Sequence, residues 1–351
     1  MELIGYSKRE QVREVITAAP FEEDVMSRLR SIIYCASALA LLASSESFAT
    51  SEAFPAGVIR IVVPTGPGTP PDIISRVIAA ELSKTEGWRM VVENRPGALQ
   101  TIGMTDVLNQ PADGHTIYPM SVPTMAVPAL LPNMKLKPDS DFAPVLKISS
   151  SYNVLVVNPS FPVKSLPELI AALKGQPGKF NFSSAGFGTP AHLIGEMFKL
   201  QSDVQATHVP YQQAQQRVSD LLNGTNQFDF LASVTAANFA DSGKLRAIAV
   251  TAPNRVAGLM DVPTVVEQGY PNLVVEDYVG FAVKSGTAPE IIARLNTAMN
   301  KALQTPKVRE ALANLGAVPA GGTAAEFGAL ISQQIAHWGK VVKDSGIKMP
   351  E

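Results

Sequence analysis

Two glycine-rich segments carry the residues of this chain that are best suited to hold an anion. They read VVPTGPGTPPD from Val62 to Asp72 and FSSAGFGTP from Phe182 to Pro190. Each follows an apolar run and precedes an amphipathic pattern, which predicts a strand that turns into a helix. Such a turn points free backbone N–H groups and the positive end of a helix dipole at a negatively charged group. We therefore predict two anion-binding turns that border a common cleft.

The two turns supply most of the candidate ligand-binding residues. A carboxylate between them would accept charge-assisted hydrogen bonds, each worth roughly 1.5–3 kcal/mol net. Thr189 is predicted to cap the second helix ahead of Pro190, and Pro71 to open the first. Simple turn glycines and a purely structural Asp72–Arg76 pair are the alternatives. The candidates are Thr65, Gly66, Gly68, Thr69 and Asp72 in the first turn, and Ser183, Ser184, Gly186, Phe187, Gly188 and Thr189 in the second.

The elements around these turns alternate between short apolar runs and helical patterns. Ile59 to Pro64 precedes the helical pattern of Asp72 to Ser83, and the alternation continues as far as Leu222. This order is typical of parallel α/β sheets. Two longer β-rich stretches, Val145 to Val157 and Leu273 to Val283, are predicted to cross between two lobes.

Composition narrows the class of protein. The chain has 351 residues, of which 46% are hydrophobic and 17% charged, and its formal net charge is −2. This length allows two domains with full cores. Because charges of both signs are scattered, we expect neither a basic nucleic-acid surface nor a polybasic membrane anchor. A small neutral or acidic solute fits this balance better.

The N-terminal region resembles a secretory signal. Arg28 and Arg30 precede an apolar run that is too short to span a bilayer, and small residues then predict cleavage after Ala49. Since acidic residues precede Met26, we hypothesise that Met26 is the true start, with residues 1–25 an artefact of gene calling and residues 26–49 the signal peptide. The single cysteine, Cys35, lies in the apolar run, so the mature chain would lack thiol chemistry.

An ordered series of segments carries a resemblance over nearly all of the mature chain. The series resembles the tripartite tricarboxylate transporter substrate-binding family, the periplasmic Bug or TctC-type receptors. The segments of this series are VIRIVVP, VVENRPGA at Val91 to Ala98, PADGHTI at Pro111 to Ile117, FSSAGFGTPAHLIGEMF at Phe182 to Phe198, HVPY at His208 to Tyr211, GKLRAIAVT at Gly243 to Thr251 and DVPTVVEQGYP at Asp261 to Pro271.

The resemblance implies an α/β, two-lobed, type II periplasmic-binding-protein (Venus-flytrap) fold, with two mixed sheets flanked by helices and two crossover strands. Residues 54–152 with 277–351 would form lobe 1, and residues 153–276 lobe 2. The protein would be a periplasmic monomer that closes on a small organic carboxylate and delivers it to membrane permease subunits. It would use no cofactor or metal, catalyse no reaction, bind no nucleic acid and not enter the membrane. The family's third binding loop adds Tyr211, Gln212 and Gln213 to the candidates.

The chain departs from the family pattern near the expected cleft. Thr69, Pro70 and Pro71 occupy positions where the family has small residues, and the two prolines remove two backbone donors. Leu99 and Gln100 stand in place of glycines, and Asp277 in place of an aromatic residue. With Phe187 and the amides of Gln212 and Gln213 nearby, we hypothesise an aromatic or less charged acid as ligand.

Other functions remain open on the sequence alone. A sensor that presents its ligand-bound state to a membrane protein is the main alternative. Gly186, Gly188 and Ala191 form the loose G-x-G-x-x-A dinucleotide pattern, but the next strand ends in HVPY instead of an acidic residue, which disfavours an oxidoreductase. The four histidines lack metal-binding spacing, and no G-x-S-x-G nucleophile motif occurs.

Overall fold

The structure is a computed structural model that describes residues 54–349. Its strands and helices alternate over most of this range. The strands are β1 (Ile59–Val63), β2 (Met90–Asn94), β3 (Thr116–Ser121), β4 (Phe142–Val157), β5 (Asn181–Ser184), β6 (Thr207–Pro210), β7 (Phe228–Ala232), β8 (Arg246–Val250), β9 (Glu276–Lys284) and β10 (Ala317–Pro319). The helices are α1 (Pro70–Thr85), α2 (Thr101–Leu108), α3 (Val122–Leu130), α4 (Pro138–Asp141), α5 (Leu166–Gly175), α6 (Pro190–Ser202), α7 (Ala214–Leu222), α8 (Ser233–Asp241), α9 (Pro289–Ala302), α10 (Pro306–Ala313) and α11 (Ala324–Ser345).

The strands form two mixed sheets that share β4. The first sheet has the order β2-β1-β3-β9-β4, with β10 also paired to β4. The second has the order β4-β7-β5-β6, with β8 also paired to β4. Pairing is parallel among β1, β2 and β3 and among β5, β6 and β7, as the alternating pattern predicts. The crossing strands β4 and β9 instead run antiparallel to their neighbours, which makes both sheets mixed.

Strand β4 passes from one sheet to the other near its middle. Its residues from Phe142 to Tyr152 pair with β9, and those from Asn153 to Val157 pair with β7. The chain returns just before β9, where the Val275 N–H donates to the Thr251 carbonyl at 2.9 Å. The predicted crossover stretches are therefore confirmed. We call the elements of the first sheet, with α1–α4 and α9–α11, the first lobe, and those of the second sheet, with α5–α8, the second lobe.

Burial explains why these segments form their elements. Strand β1 has the sequence IRIVV and is buried at four of its five positions, as expected for a parallel strand covered on both faces. In α11, Thr323 and Glu326 form a reciprocal cap, and Trp338 is fully buried in the core. Helix α11 packs on α3 of the first lobe and on α6 of the second, so it contacts both lobes.

The stretch from Pro128 to Pro144 has a proline content typical of a surface connection, and its middle is mostly exposed. Its two ends belong to regular elements: α3 ends at the buried Leu130, and β4 begins with the buried Phe142. The connection between α3 and β4 therefore runs over the surface, and apolar side chains fix it to the core at both ends.

The predicted signal peptide, the Met26 start and Cys35 lie outside the described residues. Over residues 54–349, none of the helices combines the length and apolar character that crossing a membrane requires.

Candidate ligand-binding site

The first predicted turn joins β1 to α1. Helix α1 begins at Pro70, with Thr69 as its N-cap, so its start lies one residue earlier than the Pro71 predicted from sequence. The Thr69 hydroxyl donates to the Gly66 carbonyl at 2.8 Å and lies 2.6 Å from the Thr65 hydroxyl. These bonds fold the turn into a compact loop ahead of the helix. Pro70 and Pro71 fill the first two helical positions, where neither can donate.

Asp72 is buried under this turn and holds it in place. Its carboxylate accepts hydrogen bonds from the Gly68 N–H, from Arg76 and from Asn94, at 2.8–2.9 Å. Burial acts to raise the pKa of Asp72, but the bonds from these three donors outweigh it and lower the pKa below the ordinary 3.8. Arg76 thus pairs with Asp72 at i,i+4, as the structural alternative predicted. The carboxylate supports the turn from behind.

Backbone donors of the first turn remain free. Within residues 54–349, the N–H groups of Thr65, Gly66 and Thr69 have no protein acceptor, whereas that of Gly68 is taken by Asp72. Thr65, Gly66 and Thr69 are partly exposed, and Gly68 is exposed. The turn therefore presents N–H groups, and not a charged side chain, to an incoming anion.

The second predicted turn joins β5 to α6. Thr189 is the N-cap and Pro190 the first helical residue, as predicted. Ser183 and Ser184 are fully buried, and their hydroxyls bond inside the second lobe, Ser183 to Asp229 at 2.5 Å and Ser184 to the Gly186 carbonyl at 2.9 Å. The structure thus places both serine side chains behind the turn. The hydroxyl of Thr189 also donates to the Gly186 carbonyl, at 2.7 Å.

Two neutral histidines underlie the second turn. The Gly188 N–H donates to Nδ1 of His192 at 3.0 Å, and Nε2 of His208 lies 2.6 Å from the Ser184 hydroxyl. Phe187 packs edge-on against both imidazoles. Burial, with a smaller contribution from the positive charge of Lys199, lowers the pKa of His192 to about 4 and that of His208 to about 3.

The third predicted loop follows β6. The Tyr211 hydroxyl donates to Asp220 at 2.7 Å and accepts from Asn226 at 2.7 Å, so it is engaged within the second lobe. Gln212 and Gln213 are exposed and precede α7, with Gln213 as its N-cap residue. Their amides lie at the surface, where they are available to a ligand.

Leu99 connects the second turn to the first lobe. It precedes α2, whose Gly103 packs against Pro64 at the base of the first turn: a Cβ added there would lie 3.1 Å from the Pro64 Cα. A Cβ added to Gly188 would lie 2.4 Å from Cδ2 of Leu99 and 3.6 Å from Cδ1 of Leu130. The second turn thus contacts the first lobe at Leu99 and Leu130.

Sequence reasoning did not select Leu99, His192, His208 or Asp229 as site residues. Leu99 was noted only as a departure from a glycine, and the others support the turns through contacts between distant segments. Over residues 54–349, no group of three or more His, Cys, Asp or Glu side chains is placed to hold a metal. What the described site offers is a set of backbone donors, exposed amides and apolar side chains suited to holding a small anionic solute.

Comparison with known proteins agrees with this arrangement. The sequence model of the family described as tripartite tricarboxylate transporter family receptor matches residues 74–347 of this chain. Protein BugT of Bordetella pertussis is 34% identical over 326 residues, covering 92% of this chain and 99% of BugT. The Rpa4515 protein of R. palustris, solved with adipate, is 31% identical with a TM-score of 0.74, covering 84% of this chain and 99% of that chain. MatC of Rhodopseudomonas palustris, solved with malate, is 31% identical with a TM-score of 0.73, covering 82% and 100%.

These matches extend over both lobes and agree with the two-lobed periplasmic-binding-protein fold, although the family model begins at Ile74, just after the first turn. The family is one of solute-binding receptors. The chain belongs to the tripartite tricarboxylate transporter receptor family, the family of the Bug proteins.

Proposed function

We propose that this protein is a periplasmic receptor that closes on a small organic carboxylate and delivers it to a tripartite membrane transporter. The observation that carries the proposal is the contact of the second turn, at Gly188, with Leu99 of the first lobe, which precedes the helix that packs on Pro64 at the base of the first turn. The first turn offers the N–H groups of Thr65, Gly66 and Thr69. In the second turn the N–H groups of Gly186, Gly188 and Thr189 are taken within the protein, and those of Ala185 and Phe187 have no acceptor among the described residues. A carboxylate could accept from both turns at once. Two solved relatives, which hold adipate and malate, support a carboxylate as ligand class.

Closure would supply the affinity. A ligand that contacts donors on both lobes binds the closed state more tightly than the open one, and so shifts the population toward closure. The chain crosses between the lobes at β4 and just before β9, which suits a hinge that keeps each lobe rigid. Among the candidates that are exposed or partly exposed, Tyr211 is set apart because its hydroxyl is engaged by Asp220 and Asn226. We propose direct ligand contact for the others: Thr65, Gly66, Gly68, Thr69, Gly186, Phe187, Thr189, Gln212 and Gln213.

A thermal-shift screen of the exported protein tests the binding function. A ligand that binds only the folded state raises the melting temperature, by an amount that grows with ligand concentration. We expect shifts from one or more members of a panel of mono-, di- and tricarboxylates and aromatic acids, and none from the matching amides or alcohols. A panel without any shift at millimolar concentrations, confirmed by calorimetry, would argue against a carboxylate receptor.

Delivery to a transporter and location in the periplasm need separate tests. Deletion of the gene should abolish uptake of the radiolabelled ligand, and a plasmid copy should restore it. Uptake that is unaffected while a ligand-dependent transcriptional response disappears would favour the sensor alternative. Sequencing of the N-terminus of the exported protein should begin at Thr50, which would establish cleavage after Ala49.

A further inference from the structure

The segment that leads into α2 has an unusual backbone. Ala98, Leu99 and Gln100 follow one another with φ values of 44°, 53° and 73°. Residues with a side chain rarely adopt this left-handed conformation, and three in succession are retained only where the surroundings enforce them. Such backbone strain is concentrated at active sites and ligand-binding sites, so the side chain that this segment presents is a candidate for ligand contact.

The first lobe holds the segment firmly from behind. Gln100 is buried, and its amide oxygen accepts from the Thr124 hydroxyl at 2.8 Å. The Thr101 hydroxyl donates to the Ala98 carbonyl at 2.7 Å, and the Gln100 N–H to the Gly97 carbonyl at 2.9 Å. The strained conformation therefore fixes the direction in which Leu99 projects.

Leu99 projects across the cleft. Its Cδ2 atom would lie 2.4 Å from a Cβ on Gly188, so the leucine packs on the backbone of the second turn. It also packs against the apolar core of the first lobe near Leu130. Phe187, the residue before Gly188, is half-buried. Leu99 and Phe187 thus give an apolar character to this part of the cleft.

The charged groups around the cleft are unfavourable for a second carboxylate. The cationic side chains on the turns and their supporting elements are already paired: Arg76 with Asp72, Arg95 with Asp106, Lys199 with Glu196 and Arg217 with Asp229. Asp277, near the start of β9, pairs with Ser151 of β4 and has no cationic partner among the described residues. A second ligand carboxylate would therefore meet the apolar side chains of Leu99 and Phe187 and no unpaired cation of these elements.

We propose that Leu99 determines the specificity of the cleft, and that it selects a carboxylate with an apolar remainder over a linear dicarboxylate. The inference rests on the proposed function and names the ligand class within it. One carboxylate would be held by the backbone donors of the two turns, while the apolar remainder packs against Leu99 and Phe187. The proposed ligand carries one carboxylate, whereas the adipate and malate held by the two solved relatives are dicarboxylates. The preference follows from Leu99 and Phe187 of this chain.

Matched acids of equal length test the proposal by calorimetry. Hexanoate and adipate differ only in the second carboxylate, and benzoate adds an aromatic monocarboxylate. We expect the wild-type protein to bind hexanoate or benzoate at least about tenfold more tightly than adipate, since an apolar pocket rejects an unpaired charge. Leu99→Ala should weaken hexanoate binding by about tenfold, leave adipate binding unchanged or stronger, and so reduce the preference.

Leu200→Ala provides a control of the same chemistry. Leu200 lies near the C-terminal end of α6 and is exposed, so this variant should keep the wild-type preference. Equal or tighter binding of adipate by the wild-type protein would overturn the inference, as would a preference that Leu99→Ala leaves intact. If no carboxylate binds the folded wild-type protein, the proposed function itself fails, which is a distinguishable result.

Discussion

The imidazole rings of His192 and His208 stack with their centroids 4.1 Å apart beneath the second turn. Nδ1 of His192 accepts the Gly188 N–H, so this nitrogen must be unprotonated. Protonation of both rings would place two positive charges in contact, near Lys199 and Arg217. The shape of the second turn therefore depends on both histidines being neutral.

We predict that stability falls as the pH decreases from about 6.5 toward 4. Burial lowers the pKa of His192 to about 4 and that of His208 to about 3, whereas both are 6.5 in an unfolded chain. Between these values the unfolded chain binds more protons, so stability contributed by the neutral pair is fully present above pH 6.5 and is lost as pH falls. Thermal melts at half-unit pH steps measure the loss.

The double variant His192→Asn, His208→Gln tests whether the two histidines cause the loss of stability at low pH. Asparagine keeps an acceptor near the position of Nδ1, glutamine keeps a donor near that of Nε2, and neither titrates. We expect a lower melting temperature at pH 7, because ring stacking is lost, but a shallower decline between pH 6.5 and 4. An equally steep decline in this variant would assign the acid sensitivity to other groups.

The glycines of the two turns should respond differently to alanine. Gly68 and Gly188 have φ values of 81° and 70°, so alanine at either position costs about 1–2 kcal/mol of stability. A Cβ on Gly68 would meet no atom within 4 Å, whereas one on Gly188 would meet Leu99. We therefore expect Gly188→Ala to weaken carboxylate binding about tenfold and Gly68→Ala to weaken it less, because only the first adds a steric conflict across the lobes.

A second substitution checks the cause. Combining Leu99→Ala with Gly188→Ala removes the steric conflict, so it should restore part of the affinity for a carboxylate that does not depend on Leu99, such as adipate. Calorimetry of the two single variants and the double variant gives the coupling between the positions. Strictly additive losses would mean that Leu99 and Gly188 do not meet in the bound state.

The contrast between these glycines shows what the sequence could predict. The strand-turn-helix pattern and the Thr189 cap with Pro190 depend on residues close in the chain, and the structure has them as predicted. The orientation of Ser183 toward Asp229, and the approach of Leu99 to Gly188, depend on strand pairing and lobe packing. Local patterns do not contain that information, so buried supporting residues and ligand-facing residues could not be separated.

Asp229 should be the most sensitive polar residue in the second lobe. It is fully buried, and its carboxylate accepts hydrogen bonds from Nε and Nη2 of Arg217 and from the Ser183 hydroxyl. Asp229→Asn removes the counterion of Arg217, whose side chain is only 14% exposed, so we expect a loss of about 3 kcal/mol in the free energy of unfolding. Urea denaturation of the folded variant measures this loss.

An exposed ion pair serves as the control. Lys340 and Asp344 pair at i,i+4 on α11, where the lysine is largely exposed. Asp344→Asn should cost at most about 0.5 kcal/mol, because solvent screens such a pair. If Asp229→Asn were as mild as Asp344→Asn, the buried pair would not be what anchors α7 to the second sheet.

Asp277 should make carboxylate binding depend on pH. Its Oδ1 accepts the Tyr278 N–H at 2.9 Å, and among the described residues no cation pairs with it. Its surroundings raise its pKa to about 6, mainly by burial and also through Glu276. Above pH 6 the ionised side chain repels an anionic ligand, so we expect affinity to rise about twofold or more between pH 7.5 and 5.5.

Asp277→Asn should remove this dependence and bind the carboxylate more tightly at pH 7.5. A carboxyl whose pKa is raised by folding stabilises the folded state when protonated, and that stability is lost as pH rises through about 6. The variant should therefore also melt at a higher temperature than the wild-type protein at pH 7.5, an effect opposite in sign to that of the histidine pair. Calorimetry at both pH values, with a ligand that stays ionised throughout, measures binding apart from stability. A wild-type affinity that is constant from pH 7.5 to 5.5 would place Asp277 too far from the bound carboxylate to influence it.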